Sequence, residues 1–390
     1  MTGKLVLSAL CLSTLLALPG CSDSSDSASL VTDATPAVTL ANLNILHGFD
    51  CDPPVPADGD QCRIRERIKL LSKYLVHRGC PDLVALQEIV NLEYLLRSPT
   101  EQVGPLESIV DLISAELTSL EAQCNFRYEL IYQPFLNVFT AETDEELVLS
   151  RYPVVETGTR QLHSALYNND LMLFVRHVLH VRIAHPAGNV DVYTTHLASG
   201  SDSATNPCDS RYVLPGTQIE LMSSCPSECD SRDTVRACQA EQLALYVEQT
   251  RDQDNLALIA GDFNAVPGSS EYLTMSRRGW IDTYLAAGEK ECDSATGAGC
   301  TSGRASSTAS LEDPGLQVKR RIDYIFAAMP GNSDTCMATA AGDTGNWQQT
   351  SGTLFAATPN PFVDTCGSLP KDICWVSNHS GNLAQLACRR

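Results

Sequence analysis

One stretch, residues 256–267 with the sequence LALIAGDFNAVP, constrains the fold more than any other part of the chain. Its first five residues are apolar and have the right length for a buried strand. At Gly261 they give way to a carboxylate, an aromatic ring and an amide. If the extended backbone continues, Asp262 and Asn264 project on the same side, one able to accept a proton and the other to donate hydrogen bonds. Such a pair suits a water molecule attacking a phosphate; the alternative is an Asx-turn that only ends the strand.

Five other polar residues close or interrupt apolar, β-prone runs along the chain. They are Asn44 in LNILHG, Glu88 in LVALQE, His196 in VYTTHL, Asp323 in RIDYIF and His379 in SNHSG. No single motif is specific, but the set in this order is. With these residues the sequence resembles the endonuclease/exonuclease/phosphatase superfamily, which includes deoxyribonuclease-like nucleases, neutral sphingomyelinases and inositol-phosphate phosphatases. The resemblance extends from about residue 38 to residue 390.

Strand-like segments dominate and helical segments are interleaved with them, which supports an α+β or mixed α/β fold. Apolar residues recur at helical spacing in residues 63–77, 106–120 and 234–250. The segments that read as strands are residues 38–46, 83–86, 128–132, 146–149, 171–183, 190–195, 256–260 and 321–326. The resemblance implies more, namely an α+β, four-layer α/β/β/α sandwich of two mainly antiparallel sheets with flanking helices. In this deoxyribonuclease I-like fold the site lies at one end of the sheets.

The resemblance also implies roles for the motif residues. Asn44 and Glu88 match the residues that hold a catalytic divalent cation in the family. Carboxylate and amide oxygens are hard ligands, so Mg²⁺ is the expected ion, with Mn²⁺ and Ca²⁺ as alternatives. Asp262 is expected to position and deprotonate the attacking water, and Asn264 to hold a phosphoryl oxygen. Considered by itself, Asn44 could be a residue of a strand-end turn. Considered by itself, Glu88 could be a charge at the start of a helix.

The two histidines are expected to act on the phosphate. His196 and His379 would donate hydrogen bonds to it, and by the same analogy His379 would act as an acid or as a clamp on the transition state. Asp323 resembles the carboxylate that pairs with that histidine and fixes its protonation. The structural alternative for Asp323 is an ion pair with Arg320 or Arg321.

Two further positions bear on the site. Arg151 in LVLSRYPV is similar to a family stretch near the phosphate, although a turn before Pro153 explains it equally well. Asn378 departs from the family, most members of which carry Asp immediately before the final histidine. An amide offers an oxygen without the negative charge, so we expect one cation rather than two. Asn378 would then orient His379 or a bound water by hydrogen bonding.

Composition limits the substrate. The chain has 390 residues, 43% of them hydrophobic, and the motifs span most of its length, which favours one catalytic domain over residues 38–390. With 27 Lys+Arg against 47 Asp+Glu the net charge is -20, which disfavours tight non-specific binding of nucleic acid. It does not oppose a bound cation, which inverts the local field.

We therefore favour a monomeric phosphoesterase acting on a lipid headgroup or small phosphate ester. The alternatives are an extracellular nuclease and a non-catalytic surface module.

Residues 1–20 read as a secretory signal, with Lys4 before an apolar segment too short to anchor in a bilayer. The segment ends in LPGC, which resembles a bacterial lipobox with Cys21 as the lipidated residue. An ordinary cleaved signal peptide is the alternative. Residues 21–37 would form a flexible tether. The expected location is therefore the cell envelope, at the outer membrane or cell surface, or the medium if the protein is secreted.

Disulfides are the expected state of the cysteines, because an exported chain meets an oxidising environment. Without Cys11 and Cys21, 14 of the 16 cysteines remain, an even number. The pairs that could close local loops are Cys51/Cys62 and Cys292/Cys300. The Cys-containing loops are expected at about residues 198–231, 289–310 and 327–371. A zinc site is the rival, but the nearest spacing, Cys225 to Cys229, has no matching second pair.

Overall fold

A computed structural model describes residues 36–47, 61–89, 108–134, 145–163, 176–200, 206, 208, 211–213, 220–222, 225–332, 335–338, 343–364, 366–368 and 372–390. The chain divides into two units, Met1–Ala34 and Thr35–Arg390, and the first lies outside the described residues. The signal peptide, the lipidation of Cys21 and the tether therefore stay predictions.

Fifteen strands and six helices make up the described part of the second unit. The strands are β1 (Ala37–Asn44), β2 (Leu83–Ile89), β3 (Glu129–Tyr132), β4 (Glu145–Ser150), β5 (Val154–Gln161), β6 (His177–Ile183), β7 (Val190–His196), β8 (Arg211–Val213), β9 (Glu220–Met222), β10 (Leu256–Asp262), β11 (Ile281–Asp282), β12 (Asp323–Ala328), β13 (Cys336–Met337), β14 (Thr344–Phe355) and β15 (Gly381–Arg389). The helices are α1 (Ile64–His77), α2 (Ile109–Cys124), α3 (Val235–Thr250), α4 (Ser270–Ser276), α5 (Thr283–Ala286) and α6 (Thr308–Leu311), with 3-10 turns at Gln61–Arg63 and Ser227–Cys229.

Two mixed sheets stack face to face. The first has the strand order β13-β14-β15-β1-β2-β4-β3 and the second β11-β12-β10-β7-β6-β5, while β8 and β9 form a two-stranded sheet. Most neighbours are antiparallel, but β1 runs parallel to β2 and β7 to β10. One apolar core lies between the sheets. Helices α1 and α2 pack on the outer face of the first sheet, and α3 and α4 on that of the second. The predicted α+β, four-layer sandwich is confirmed.

Two of the three longer helices, α2 and α3, begin where the sequence supplies a cap. Thr234 accepts a hydrogen bond from the backbone N–H of Ala237 and starts α3, as predicted. Ser108 does the same for the backbone N–H of Asp111, so α2 begins and ends later than the predicted 106–120. The helix α1 agrees with its predicted range to within one residue.

Of the strands that lie where the sequence predicts none, the three long ones are β5, β14 and β15. β5 is the edge strand of the second sheet and its side chains are mostly exposed, so it lacks apolar alternation. β14 lies inside residues 327–371 and pairs with β15, which also escapes prediction. Its polar sequence conceals a strand because one of its faces is largely exposed. The prediction of a loop throughout 327–371 is wrong for that reason.

Disulfides stabilise the loops between these elements. The bridges are Cys80–Cys124, Cys208–Cys225, Cys229–Cys238, Cys292–Cys300, Cys336–Cys388 and Cys366–Cys374. The predicted Cys292/Cys300 pair is confirmed; Cys62 is also disulfide-bonded, while Cys51 lies outside the described residues. Cys225 and Cys229 belong to different bridges, which removes the zinc alternative. Six such bridges indicate an oxidising environment. Across the described ranges, no helix is both long and apolar enough to span a bilayer.

Candidate active site

The site forms because several strands carry the same alternation to one end of the two sheets. Inward-facing residues change from apolar at the start of each strand to polar or ionisable at its end. On β1 the row is Leu40, Asn42, Asn44, and on β10 it is Leu258, Ala260, Asp262. In the second sheet Asp262 lies opposite His196 on β7 and opposite Asp323 on β12. Three of the predicted site residues are therefore neighbours by strand register alone.

A row of buried amides joins the sheets just below the site. Gln87 Nε2 donates to Asn42 Oδ1 at 2.8 Å and to Thr194 Oγ1 at 2.9 Å. Asn42 Nδ2 in turn donates to the carbonyl of Gly261 at 3.4 Å. The side chains of Asn42, Gln87 and Thr194 are fully buried. Because these bonds connect the first sheet to the second, they fix the spacing between Asn44 and Asp262.

Glu88 reaches the site through a bulge in β2. Regular alternation would turn its side chain outward, since Leu86 packs in the core beneath the helices. Instead, Glu88 has a φ of 62°, and the register with β4 shifts between Leu86 and Ile89. Left-handed backbone costs a residue with a side chain about 1–2 kcal/mol. Strain of this kind clusters at functional sites and supports a functional position for this carboxylate.

Glu88 and Asp262 converge on Asn44. Asn44 Nδ2 donates to Glu88 Oε1 at 2.7 Å and to Asp262 Oδ2 at 3.1 Å, while its Oδ1 accepts from the N–H of Leu46 at 3.0 Å. The other oxygen of Glu88 accepts from the N–H of His47 at 2.9 Å. Two buried carboxylates thus share one neutral amide. Like charges in this arrangement repel each other unless a proton or a cation offsets them.

The backbone between Asp262 and Asn264 is not extended, contrary to the prediction. β10 ends at Asp262, Asn264 has a φ of 49°, and its N–H donates to Asp262 Oδ1 at 2.8 Å, which is an Asx-turn. The turn nevertheless keeps Asn264 at the site. Its Nδ2 donates to the carbonyl of Leu197 at 2.9 Å and lies 3.0 Å from His196 Nε2. The turn that was the alternative explanation therefore builds part of the site.

His196 is held in one tautomer by Arg176. Arg176 Nη1 lies 2.7 Å from His196 Nδ1, and a guanidinium can only donate. A neutral imidazole that accepts at Nδ1 carries its proton on Nε2, which lies 3.5 Å from Asp262 Oδ2. Asn264 Nδ2 then donates to the Leu197 carbonyl and not to this nitrogen. From there the Nε2–H can donate to a phosphoryl oxygen. Arg176 has no signal in the sequence, because it simply precedes the strand β6.

His379 and Asp323 form a buried pair. The Nδ1 of His379 lies 3.0 Å and 3.2 Å from the two carboxylate oxygens of Asp323, and 3.7 Å from Asp262 Oδ2. The side chain of Arg321 makes a 2.8 Å ion pair with Asp282 instead of with Asp323. The pairing that the resemblance implied is therefore present, and among the described residues Asp323 makes no ion pair with Arg320 or Arg321, the alternative.

The charges of this pair follow from its surroundings. Burial by itself lowers the pKa of His379, but Asp323 and Asp262 outweigh burial and raise that pKa to about 9. Burial raises the pKa of Asp323 to about 6, although His379 opposes the rise. At neutral pH the pair is thus a carboxylate and an imidazolium. Nδ1 of the ring is engaged by Asp323, so its Nε2–H remains to face a ligand.

The donor set fits a hard divalent cation. Glu88 and Asp262 offer carboxylate oxygens, the ligands that Mg²⁺, Mn²⁺ and Ca²⁺ prefer. Asn44 would add its amide oxygen once its side-chain amide is rotated, since Nδ2 now faces the two carboxylates and Oδ1 accepts from Leu46. A second group could also hold an ion, since ligand atoms of Asp262, Asp323 and His379 lie within 4.8 Å of one another. There the imidazolium proton already offsets the carboxylates. Glu88 and Asn44 are for this reason the better fit.

One loop, to which the sequence assigns no role in the site, contacts the His379 pair on several sides. This loop, residues 300–306, begins at the Cys292–Cys300 bridge, and we call it the clamp loop. Thr301 Oγ1 accepts from the N–H of Asp323 at 3.2 Å, and the Thr301 carbonyl accepts from the N–H of Ser380 at 2.6 Å. The clamp loop thus bonds to the backbone on both sides of the pair.

Arg304 of the clamp loop holds the segment that carries His379. Its Nη1 donates to the carbonyls of Ser377 and His379 at 3.4 Å and 3.2 Å, and its Nη2 donates to Ser380 Oγ at 3.2 Å. The guanidinium carbon lies 3.6 Å from the ring centre of Trp375. Burial lowers the pKa of Arg304 to about 10, so it stays charged at neutral pH. Nothing in the motif GCTSGRASS indicates this role, which depends on contacts with a distant segment.

Two predicted positions do not contribute as expected. Ser150 lies opposite Leu83, at the start of β2, whereas Glu88 lies near its end, so Arg151 lies at the opposite end of the sheet. There Arg151 pairs with Asp82 at 3.2 Å. The prediction that Arg151 lies near the phosphate is wrong.

Asn378 lies next to His379 but does not bond to its ring. Its Nδ2 donates to Ser306 Oγ of the clamp loop at 3.2 Å, and its Oδ1 accepts from Ser377 Oγ at 3.1 Å. Ser377 Oγ also accepts from the N–H of His379 at 3.1 Å. Asn378 therefore stabilises the segment before His379, and its predicted hydrogen bond to the imidazole is absent from the contacts of the described residues.

Comparison with known proteins agrees with this geometry. A model of the Endonuclease/Exonuclease/phosphatase family matches residues 41–328. A family protein from Leptotrichia buccalis C-1013-b aligns with a TM-score of 0.52 and 15% identity over 90% of this chain and 99% of that chain. One from Bacteroides thetaiotaomicron aligns with a TM-score of 0.53 and 12% identity over 92% of this chain and 100% of that chain. At such identities the likeness shows the fold alone. No curated protein sequence matches the chain.

Proposed function

This chain belongs to the endonuclease/exonuclease/phosphatase family, and on that premise we propose that it is an exported phosphoesterase. It would use a divalent cation to hydrolyse a phosphodiester or phosphomonoester by attack of water. One observation carries the proposal: six motif residues from separate strands and loops meet at one end of the sheets, in chemically complementary pairs. They are Asn44, Glu88, His196, Asp262, Asp323 and His379.

Glu88 and Asn44 would hold the cation, with Asp262 beside them. The bound ion would supply positive charge to the phosphate and favour ionisation of water. The Asn44 amide lies between the two carboxylates and donates to both. Mg²⁺ is the proposed ion because all of these donors are oxygens.

The protein's own groups would handle protons and charge around the phosphate. Asp262 would accept the proton of the attacking water; its fixed orientation supports this role, since its Oδ1 accepts from the N–H of Asn264 and its Oδ2 from Asn44. His379, charged at neutral pH, would donate its Nε2–H to a phosphoryl oxygen or to the leaving oxygen. His196 and Asn264 would donate to the other oxygens. General-base help of this kind is typically worth about 10²- to 10⁴-fold.

Substrate and location belong to the same proposal. The net charge of -20 supports a lipid headgroup or a small phosphate ester over bulk duplex nucleic acid. The disulfides support action outside the reducing cytoplasm. Lipidation at Cys21 would then keep the enzyme, as a monomer, at a membrane surface.

The test combines a substrate panel with a metal titration. Purified protein is assayed on bis-nitrophenyl phosphate, sphingomyelin, DNA and inositol phosphates, with and without Mg²⁺. We expect hydrolysis of at least one substrate, only with the cation. Glu88→Gln should lose most of the activity and weaken Mg²⁺ binding measured by calorimetry, since it removes the charge of the principal ligand. Wild-type protein that is inactive on the whole panel would support a non-catalytic binding module; equal Mg²⁺ affinity in Glu88→Gln would place the cation elsewhere.

A further inference from the structure

A cavity of about 360 Å³ lies next to Asn264, and two arginines line it. Arg236 comes from the first turn of α3, and Arg320 comes from the segment that precedes β12. Val266, which is 45% exposed, and Ile322 contribute apolar surface. Among the described residues that line this cavity, which we call the arginine pocket, none is acidic.

Arg236 is fixed in position. Its Nε donates to Glu271 Oε1 at 3.1 Å and its Nη1 to the carbonyl of Ala198 at 3.3 Å. The side chain of Glu271 is only 4% exposed and that of Arg236 is 20% exposed. The carboxylate thus lies beneath the guanidinium and anchors it, while the arginine itself contributes to the pocket wall. A pre-positioned guanidinium loses little conformational entropy when an anion binds.

Arg320 differs in that its backbone is fixed and its side chain is exposed. Its carbonyl accepts from the N–H groups of Thr301 and Ser302 at 2.7 Å and 2.8 Å, which ties it to the clamp loop. In the part of the chain that the structure describes, its side chain makes no ion pair with a carboxylate. The guanidinium is therefore in place to meet a charged ligand at the edge of the pocket.

Arg236 already has Glu271 as its counter-ion, whereas the described residues provide Arg320 with no carboxylate partner. The pocket therefore combines one guanidinium that is fixed in place with one whose charge is not offset by an ion pair. The phosphate undergoing hydrolysis already has partners in the cation site, His196, Asn264 and His379. Arg236 and Arg320, which line the cavity on the far side of Asn264, are not needed to bind that phosphate. Forked guanidinium groups match phosphate or carboxylate oxygens in pairs, so the pocket suits another anion on the same molecule.

We propose that the arginine pocket binds a second phosphate group that the substrate carries close to the phosphate ester being hydrolysed. The inference rests on the proposed phosphoesterase function and narrows its substrate class to molecules with two or more phosphates. Val266 and Ile322 would contact the carbon skeleton between the two groups. A short oligonucleotide and an inositol polyphosphate both have this chemistry, so both are used as probes.

The experiment compares matched substrates that differ in one phosphate. The nucleotide arm uses the dinucleotide TpT and its 5′- and 3′-phosphorylated forms, pTpT and TpTp. The inositol arm uses a monophosphate and the corresponding vicinal bisphosphate. We expect kcat/KM to be roughly tenfold or more higher for the doubly phosphorylated member of at least one arm, the size of one charged hydrogen bond. The arm that shows the preference identifies the source of the second phosphate.

Two variants test whether the pocket causes that preference. Arg320→Gln should reduce the ratio of the two kcat/KM values toward one, mainly through KM. Lys319→Gln is the matched control, because it removes the same charge from an exposed neighbour that does not line the pocket. A second variant, Arg236→Gln, is included with its melting temperature measured, since Glu271 loses its partner there.

The possible outcomes distinguish failure of this inference from failure of the proposed phosphoesterase function. If wild-type protein hydrolyses none of these probes and none of the panel substrates, the phosphoesterase proposal fails and the inference with it. If wild-type protein hydrolyses both members of every pair equally well, the enzyme stands and the arginine pocket has no such role. The inference is likewise overturned if Lys319→Gln lowers the ratio as much as Arg320→Gln, because long-range charge would then explain the preference.

Discussion

His379 carries a positive charge at neutral pH because two carboxylates oppose its burial. The charge matters for the chemistry. An imidazolium has a proton on Nε2 that it can donate to a phosphate in a hydrogen bond, whereas a neutral ring with its proton on Nδ1 has none there. Asp323 provides both effects: it raises the pKa of His379 and holds Nδ1–H, which leaves Nε2–H outward. The pH dependence of the reaction therefore depends on this pair.

Activity should follow a bell-shaped pH profile. Above about 9 His379 loses its proton, and below about 6 Asp323 gains one, so kcat should fall on both sides. Replacing Asp323 by Asn removes the largest stabilisation of the imidazolium. The alkaline limb should then move to lower pH by about 1 to 3 units, because an adjacent opposite charge typically shifts a pKa by that amount.

The control for this prediction is a second buried pair in the same sheet. His180 Nε2 lies 2.8 Å from Asp191 Oδ1, and Asp191 is near the start of β7, whereas His196 ends it. Asp191→Asn should alter stability but leave the alkaline limb where it is in the wild-type protein. An unchanged alkaline limb in Asp323→Asn, measured with folded protein, would contradict the assigned role of Asp323.

Several site residues were predictable because each follows a pattern local in the sequence. Asn44, His196 and Asp262 each end a strand whose first inward positions are apolar, and strand alternation then predicts their direction. Glu88 was found only by motif, because its direction depends on a bulge that alternation cannot indicate. Asn264 was identified while its backbone was predicted incorrectly, since an Asx-turn and an extended strand use the same residue types.

At the level of elements, the clamp loop shows what sequence patterns cannot reveal. Its disulfide could be predicted from the eight-residue spacing of Cys292 and Cys300. Its hydrogen bonds to the segment before and after His379 could not, because they join residues more than 70 positions apart, as in Arg304 with His379. The same limit explains why β14 was missed: its strand character comes from pairing with β15, not from its own composition.

Arg304 should act as a positioning residue. We expect Arg304→Met to lower the free energy of unfolding by about 2 to 4 kcal/mol, because buried carbonyls lose their donors. It should also lower kcat more than it raises KM, since the imidazole moves away from the geometry that the reaction needs. Steady-state kinetics and chemical denaturation measure the two effects.

A remote arginine provides the comparison for this variant. Arg278 donates to Glu241, Glu248 and the carbonyl of Thr274 at 2.7 Å, 2.9 Å and 3.0 Å. Arg278→Met should therefore destabilise the fold while leaving kcat near the wild-type value. If Arg304→Met and Arg278→Met reduce stability equally and neither changes kcat, the clamp loop has only a structural role.

For the whole chain, the net charge does not describe the lining of the arginine pocket. The sum is -20, yet the arginine pocket presents two guanidinium groups beside Asn264. Acidic surface elsewhere repels a long polyanion, whereas a small ester reaches the pocket without meeting much of that surface. Charge distribution rather than fold therefore favours compact, doubly charged substrates over long nucleic acids.

Salt dependence of DNA binding tests this conclusion. For duplex DNA the affinity falls with salt with a slope of about -0.9 in log-log form for each phosphate that is neutralised, so two arginines predict a slope of about -2 or shallower. Affinity is measured by fluorescence anisotropy from about 20 to about 200 mM NaCl with inactive Glu88→Gln protein, so that no substrate is consumed. Arg320→Gln should make the slope shallower by about one phosphate, and Lys319→Gln should change it less. A slope steeper than about -5 would instead require an extended basic surface that neither the composition nor the described residues provide, and an extracellular nuclease would then become the better proposal.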